Sequence, residues 1–300
     1  MKIAILGSGS IGLYYGAKLA GAGEDVHFLM RSGYDQALRE GIRVRSPEGD
    51  LHLASPQVAN DVHDIGPVDL VLIALKVTDN PMLTELVPPL LNQETALLTL
   101  QNGLGNEEFL AEHFGATRVL GGLCFVCLTR DTPASVEHFG HGTLSIGEFG
   151  ERGISPRLRD ITGRFSHAGV ETHPVDALIQ ERWRKLVWNI PFNGLSVAAG
   201  QKSVDEILAS QELFNHSVAL MHEVITIANA LGHEIPLDFA DKQIARTRSM
   251  GAYKPSTLVD HLAGRPLEIE TLWGEPLRQA KAAGVESPHL EALYERLVVI

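Results

Sequence analysis

Gly7-Ser8-Gly9-Ser10-Ile11-Gly12 constrains this chain more than any other stretch, because of where it stands. It follows the β-prone run Lys2-Ile3-Ala4-Ile5-Leu6 and opens the helical run Leu13 to Ala20. At a strand–turn–helix junction, G-x-G-x-x-G gives each glycine a task. The first makes a tight turn, the second lets backbone approach a pyrophosphate, and the third lets helix pack closely on strand. The anion then rests on the helix N-terminus. Gly7, Ser8, Gly9, Ser10, Ile11 and Gly12 are therefore the expected dinucleotide-binding residues, and a second strand, Val26 to Met30, arrives where a βαβ unit needs it. An NAD-specific fold carries an acid about 20 residues beyond the glycines, on the ribose 2′-hydroxyl. No acid stands there. The strand ends Leu29-Met30-Arg31-Ser32, a guanidinium and a hydroxyl where a 2′-phosphate would lie, so Arg31 points to NADP; a solvated arginine at a strand end is the alternative.

At about 150 residues per domain, 300 residues suggest two domains. Aliphatic runs alternate with helical stretches at Lys2–Leu6, Asp25–Met30, Asp69–Leu75, Ala96–Leu100 and Val119–Leu128, the pattern of a parallel α/β sheet. Val136–Phe139, Thr143–Gly147 and Val170–His173 read as short antiparallel additions at the sheet edge. The texture changes near Pro174. Thereafter apolar residues recur at helical spacing, as in Leu213, Val218, Met221, Ile225, Ala228 and Leu231, ahead of a C-cap glycine at Gly232. The expected architecture is an α/β Rossmann-type dinucleotide-binding domain over residues 1–175 and an all-α domain over 176–300.

Hydrophobic residues make up 44% and charged residues 21% of the chain, an ordinary globular mixture. The net charge of −12 argues against nucleic acid as a partner, although a few local cations can still bind a small anion. Apolar runs such as Leu70–Leu75 fall far short of the roughly 20 residues a membrane helix needs, so no membrane partner and a cytoplasmic location are expected. Cys124 and Cys127 form a C-x-x-C pair inside the apolar run Leu123–Leu128, which favours two buried thiols over a redox or metal pair. His138-Phe139-Gly140-His141 reads as surface, and the histidines show no metal-ligand spacing.

Ligands of such folds lie outside the carboxyl ends of the strands. Lys76 follows Leu70–Leu75, and Asn102 follows Ala96–Gln101, matching positions in two consecutive units; Asn102-Gly103 is also a common turn dipeptide. In the second half, Lys185, Asn189 and Asn193 recur every four residues through an apolar segment, so they form one stripe, either a solvated face or a lined pocket. Pro191 is expected to disturb that helix. Ser256 and Asp260 are also four apart. Gly264-Arg265-Pro266 should start a new helix with Glu268 near its N-terminus, where an acid could simply complement the helix dipole.

Together the glycine turn, Arg31, Leu75-Lys76, Asn102-Gly103, the Trp183-Arg184-Lys185-Leu186 block with Asn189 and Asn193, and Ser256 through Glu268 resemble the ketopantoate reductase family (2-dehydropantoate 2-reductase) along essentially the whole chain. The resemblance implies a helical domain of the 6-phosphogluconate-dehydrogenase C-terminal type. It also implies NADPH-dependent reduction of ketopantoate to pantoate, a step of pantothenate and CoA biosynthesis. Lys185 is then the proton donor, acting with Glu268, while Asn102 touches nicotinamide and substrate. Asn189, Asn193, Ser256 and Glu268 contact the 2-oxo acid or the coenzyme, and Lys76 joins the coenzyme site. Pro255 departs from the family pattern, standing where many members carry a serine. No metal is implied, and a homodimer is left open. The competing readings are a paralogue acting on another 2-oxo or hydroxy acid and a non-catalytic NADP-binding redox sensor.

Overall fold

Short aliphatic strands, each followed by a turn and a helix, dominate the first half of the computed structural model, which describes residues 1–150 and 153–300. In chain order these are β1 (Lys2–Leu6), α1 (Ser10–Gly21), β2 (Asp25–Leu29), α2 (Tyr34–Glu40), β3 (Ile42–Arg45), β4 (Leu51–Leu53), β5 (Gln57–Ala59) and β6 (Leu70–Ile73). They continue as α3 (Asn80–Leu86), β7 (Ala96–Thr99), α4 (Asn106–Phe114), β8 (Val119–Thr132), β9 (Ser135–Glu148), α5 (Pro156–His167) and β10 (Thr172–Val175). Strands β8, β7, β6, β1, β2 and β5 pair in that order, all parallel. Alternate residues feed two cores: Ile3, Ile5, Leu70, Leu72 and Leu98 enter one, Ala4, Leu6, Val71, Ile73 and Leu97 the other. A sheet covered on both faces explains why these strands read as unbroken apolar runs. Because β1 connects onward to β2 on one side and pairs with β6 on the other, the strand order reverses at the carboxyl ends of β1 and β6.

Beyond β8 the sheet departs from the sequence expectation. Val136–Phe139 and Thr143–Gly147 are parts of one strand, β9, which forms a long antiparallel hairpin with β8. Gly140 and Gly142, at φ +154° and +131°, carry it through an irregular middle. It is no edge strand, since β3 pairs with its first half and β10 with its second. Strand β10 is parallel to β9 because α5 intervenes and reverses the chain's direction. Three residues apart on β8, Cys124 and Cys127 differ from the expected pair of buried thiols: Cys124 is buried but Cys127 is only half-buried, and the two are not joined in a disulfide. His138 is in the interior rather than at the surface: it is 2% exposed, and its ring nitrogens meet Ser46 Oγ at 2.9 Å and the His141 carbonyl at 2.9 Å.

The chain divides into two units, Met1–Gln101 with Asn106–Leu178, and Asn102–Gly105 with Ile179–Ile300. The second contains all but the first residue of α6 (Leu178–Ala198), with α7 (Val204–Ala209), α8 (Gln211–Ala230), α9 (Phe239–Thr247), α10 (Ser256–Leu262), a π-helical stretch over Glu270–Gly274, α11 (Glu275–Ala282) and α12 (Pro288–Val298). Trp183, Leu186, Val187, Ile190, Met221, Val224, Trp273, Leu290 and Leu293 form its core. Helix α6 continues through Pro191. Packing holds it there: the Trp273 indole donates to the Ile190 carbonyl at 3.0 Å, and Gly194 leaves no room for a Cβ against Leu293. Gly232 follows α8 at φ +83°, the C-cap geometry its sequence suggested. Pro266 does not start a helix. Helical structure resumes only at Ile269, so Glu268 immediately precedes it. No helix among the described residues is long and apolar enough to cross a membrane.

Candidate active site

The glycine turn lies at the strand-order reversal. Gly7 adopts φ +103°, and a Cβ there would lie 2.4 Å from the Leu75 backbone nitrogen, so both conformation and crowding by the end of β6 demand glycine. A Cβ on Gly12 would strike the Gly7 carbonyl oxygen at 2.1 Å, whereas one on Gly9 would meet nothing within 4 Å. The first and third glycines are thus required by the protein's own packing. The second faces open space, as a residue that clears the way for a ligand should. Helix α1 starts beyond Gly9 with no side-chain cap and no acid in its first turn, leaving an N-terminus suited to an anion. Ser8 Oγ donates to the Leu29 carbonyl at 2.9 Å and ties the turn to β2. These residues fit a dinucleotide pyrophosphate.

Arg31 leaves the end of β2 with its side chain 68% exposed, 4.0 Å from the Asp79 carboxylate and 3.8 Å from Met82 Sδ. Lys76 stands half-buried after β6, at the start of a short 3₁₀ turn.

At the end of β7 lies a buried network that sequence reading missed. Thr99 Oγ1 donates to Gln101 Oε1 at 2.9 Å, and Gln101 Nε2 donates to Asn80 Oδ1 at 2.7 Å and to the Leu75 carbonyl at 3.0 Å. Asn80 Nδ2 in turn donates to Asn106 Oδ1 at 3.2 Å. This network fixes Gln101, the residue at which the chain leaves the first unit. Its signal in the sequence was the grouping of amide and hydroxyl residues where strands end and helices begin.

The next segment, Asn102–Gly105, belongs to the second unit. Gly103 sits at φ +84°, where a Cβ would lie 2.3 Å from the Thr271 carbonyl oxygen. That carbonyl is set free by the π-helical register: Glu275 N–H bonds the Glu270 carbonyl, and the next residue, Pro276, has no N–H to give. Leu104 N–H takes its place at 3.0 Å. The π turn therefore anchors the loop that presents Asn102, and Asn102 Oδ1 accepts from the Lys185 ammonium at 2.8 Å. Lys185 is half-buried, not the fully solvated lysine that its residue type would favour.

Farther along the same stripe of α6, Asn189 is 7% exposed, and its side chain has no hydrogen-bond partner among the described residues. Asn193 is 2% exposed and differently used. Its Oδ1 accepts from Thr257 N–H at 3.0 Å and from Ser256 Oγ at 3.4 Å, at the start of α10. Asp260, a turn further, pairs with Arg265 at 2.8 Å. The half-buried Glu268 offers its carbonyl to Leu272 N–H at 3.3 Å. The structure thus brings Lys185 to Asn102 and Asn193 to Ser256.

The fold and these residues can be compared with known proteins. The family described as ketopantoate reductase PanE/ApbA matches residues 3–151, and its C-terminal counterpart matches residues 177–300. A 2-dehydropantoate 2-reductase of Nostoc sp. is 39% identical, covering 99% of this chain and 94% of its own. The crystal structure of 2-dehydropantoate 2-reductase from Geobacter metallireducens GS-15 is 43% identical, with a TM-score of 0.96 and 99% of each chain covered. The one from Methylococcus capsulatus is 33% identical, with a TM-score of 0.92, covering 100% of this chain and 96% of that one. The class so defined is that of oxidoreductases working with a nicotinamide cofactor on a Rossmann-type unit joined to an all-helical one. Within that class, the chain belongs to the ketopantoate reductase family.

Proposed function

We propose that this protein reduces 2-dehydropantoate to pantoate with NADPH, and that Lys185 supplies the proton. The observation that carries this reading is the hydrogen bond from the Lys185 ammonium to Asn102. It sets an ammonium beside Asn102, the residue that directly follows Gln101 in the chain, and the carboxyl ends of the strands are where ligands of this fold class bind. When bound, the reduced nicotinamide supplies a hydride to the substrate's carbonyl carbon. The negative charge developing on the carbonyl oxygen then calls for a proton and an electrostatic partner, and one ammonium provides both. Asn102 keeps that ammonium oriented. The buried Asn189 amide and the Ser256 hydroxyl are the polar groups proposed to hold the substrate's carboxylate or hydroxyl, with Glu268 accepting a hydrogen bond from a substrate hydroxyl. Asn193, its oxygen engaged at the start of α10, serves by positioning Ser256. Residues Gly7 to Gly12 cradle the pyrophosphate, Lys76 lines the same site, and Arg31 selects the 2′-phosphate of NADPH, no acid standing at the end of β2 to prefer a 2′-hydroxyl.

The test is the rate of NADPH oxidation over a panel of 2-oxo acids. Fastest turnover on ketopantoate is expected; fastest turnover on another acid overturns the substrate, and no turnover on any of them leaves the redox-sensor reading. Arg31→Ala should weaken NADPH far more than NADH, and an unchanged ratio would remove the coenzyme preference.

A further inference from the structure

We propose that Arg130, at the tip of the β8–β9 hairpin, is a second cation for the coenzyme's 2′-phosphate and a determinant of coenzyme choice. The proposal rests on the NADPH reading above and goes beyond it, since nothing near Arg130 in the sequence marks it as a coenzyme residue.

The hairpin returns to the end of β2 from far along the chain. Arg130 Nη2 lies 3.3 Å from Ser32 Oγ, the residue next to Arg31, across a separation of 98 residues. The tip is docked rather than adrift. A Cβ on Gly33, which has φ +86°, would meet Pro133 Cβ at 2.4 Å, so the turn after β2 and the tip of the hairpin are in direct contact. Arg130 also braces its own strand end, donating from Nε to the Thr132 carbonyl at 3.3 Å and from Nη2 to the Pro133 carbonyl at 2.9 Å. Those bonds use one edge of the guanidinium and fix its plane. The Nη1 group has no protein partner among the described residues.

The charge is as informative as the geometry. In a chain with 37 acidic and 25 basic residues, a cation can readily find a carboxylate, yet Arg130 makes no ion pair among the described residues. The neighbouring Asp131 is committed to Arg45 at 2.9 Å. Arg130 is exposed at the hairpin tip; partial burial of its guanidinium lowers the pKa from its ordinary value without removing the charge, so the cation stays open to an incoming anion. A phosphate monoester with up to two negative charges fits such a site, and a planar fork is the donor geometry that matches it. Arg31 and Arg130 would then hold the phosphate from two sides, one from the sheet and one from the hairpin. A ribose 2′-hydroxyl has no charge for either.

The experiment is equilibrium binding to the full chain of NADPH, NADH, 2′,5′-ADP and 5′-AMP, for wild type, Arg31→Ala, Arg130→Ala, Arg130→Gln and Arg130→Lys. A lost charged hydrogen bond should weaken NADPH and 2′,5′-ADP about tenfold in Arg130→Ala and Arg130→Gln, with NADH and 5′-AMP within about twofold and Arg130→Lys in between. Equal weakening of phosphorylated and unphosphorylated ligands would mean that Arg130 only braces the hairpin, and unchanged NADPH affinity in Arg130→Gln would also overturn the proposal. The two readings separate cleanly. If wild type prefers NADPH and Arg31→Ala abolishes that preference while Arg130→Gln does not, the Arg130 proposal alone fails. If wild type shows no preference, the NADPH reading fails and takes this one with it.

Discussion

Asn193→Ala separates a scaffold from a substrate contact. Helix α10 begins after Pro255, which has no side-chain group to cap the first turn, and the missing acceptor comes from another helix as Asn193 Oδ1, 3.0 Å from Thr257 N–H. Losing an N-cap acceptor costs about 0.5–2 kcal/mol, and a donor left buried without a partner costs about 1–3 kcal/mol. Asn193 and Thr257 are 2% and 4% exposed, so water cannot readily replace the bond and the upper part of the first range applies, about 2 kcal/mol. For a helical unit of this size that is a fall of about 5–10 °C in melting temperature. Ser256→Ala removes only the longer 3.4 Å contact and should cost less than about 0.5 kcal/mol. All three tryptophans, Trp183, Trp188 and Trp273, lie in the helical unit, so thermal unfolding followed by their fluorescence reports on that unit. An Asn193→Ala midpoint within about 1 °C of wild type, or an equal loss in Ser256→Ala, would refute the capping argument.

Three further outcomes are expected. Gly9→Ala should keep its stability within about 0.5 kcal/mol, because its Cβ meets nothing, yet lose coenzyme affinity; Gly12→Ala should lose about 3 kcal/mol or more through the clash with the Gly7 carbonyl. Coenzyme titration and urea unfolding of both variants check this, and equal behaviour would contradict it. Gly103→Ala, forced against the Thr271 carbonyl at positive φ, should lower turnover by displacing Asn102, and wild-type kinetics would argue against the π-turn anchor. Glu24 provides a pH test. Burial favours its neutral form, but hydrogen bonds from the chain's N-terminal ammonium and from Arg164 outweigh that and hold its pKa below the ordinary value. Its stabilising contribution is therefore complete above the unfolded carboxyl's pKa and fades as pH falls through the lower folded value. Wild type should exceed Glu24→Gln by about 1–3 kcal/mol near neutrality, and the gap should narrow as pH falls below the ordinary carboxyl range. A gap independent of pH would sink this reading.

The parts of the fold legible in the sequence were those set by local chemistry. The strands buried on both faces, β1, β6 and β7, appear within a residue or two of their expected spans, because continuous aliphatic runs have few other uses, and β2 does so although only its alternate residues Val26 and Phe28 are buried. Strands β3, β4 and β5 were missed, being three or four residues long with polar residues at alternate positions, as in Ile42-Arg43-Val44-Arg45. The β8–β9 hairpin was read as fragments because its glycines resemble loop punctuation, and only pairing along its length overrides them. At the site, the spacing of Lys185, Asn189 and Asn193 put them on one helix face but could not say which amide was already committed. That depends on α10, reached more than sixty residues later. Glu268 stands at a helix start as its spacing suggested, but the helix begins at Ile269 rather than at Pro266, so the proline is not in its first turn. Arg130 carries no local signature, and the amide and hydroxyl residues around Gln101, though grouped at strand ends, become a network only when the sheet brings them together.

The most direct measurement of the central claim is pre-steady-state and steady-state turnover of Lys185→Ala with NADPH and ketopantoate, alongside its NADPH dissociation constant and tryptophan fluorescence. Loss of the proton donor predicts a fall in turnover of about 10²–10⁴-fold, with coenzyme affinity within about twofold of wild type and native fluorescence. Turnover within tenfold of wild type, or equal loss of turnover and coenzyme affinity, would contradict the role assigned to this lysine.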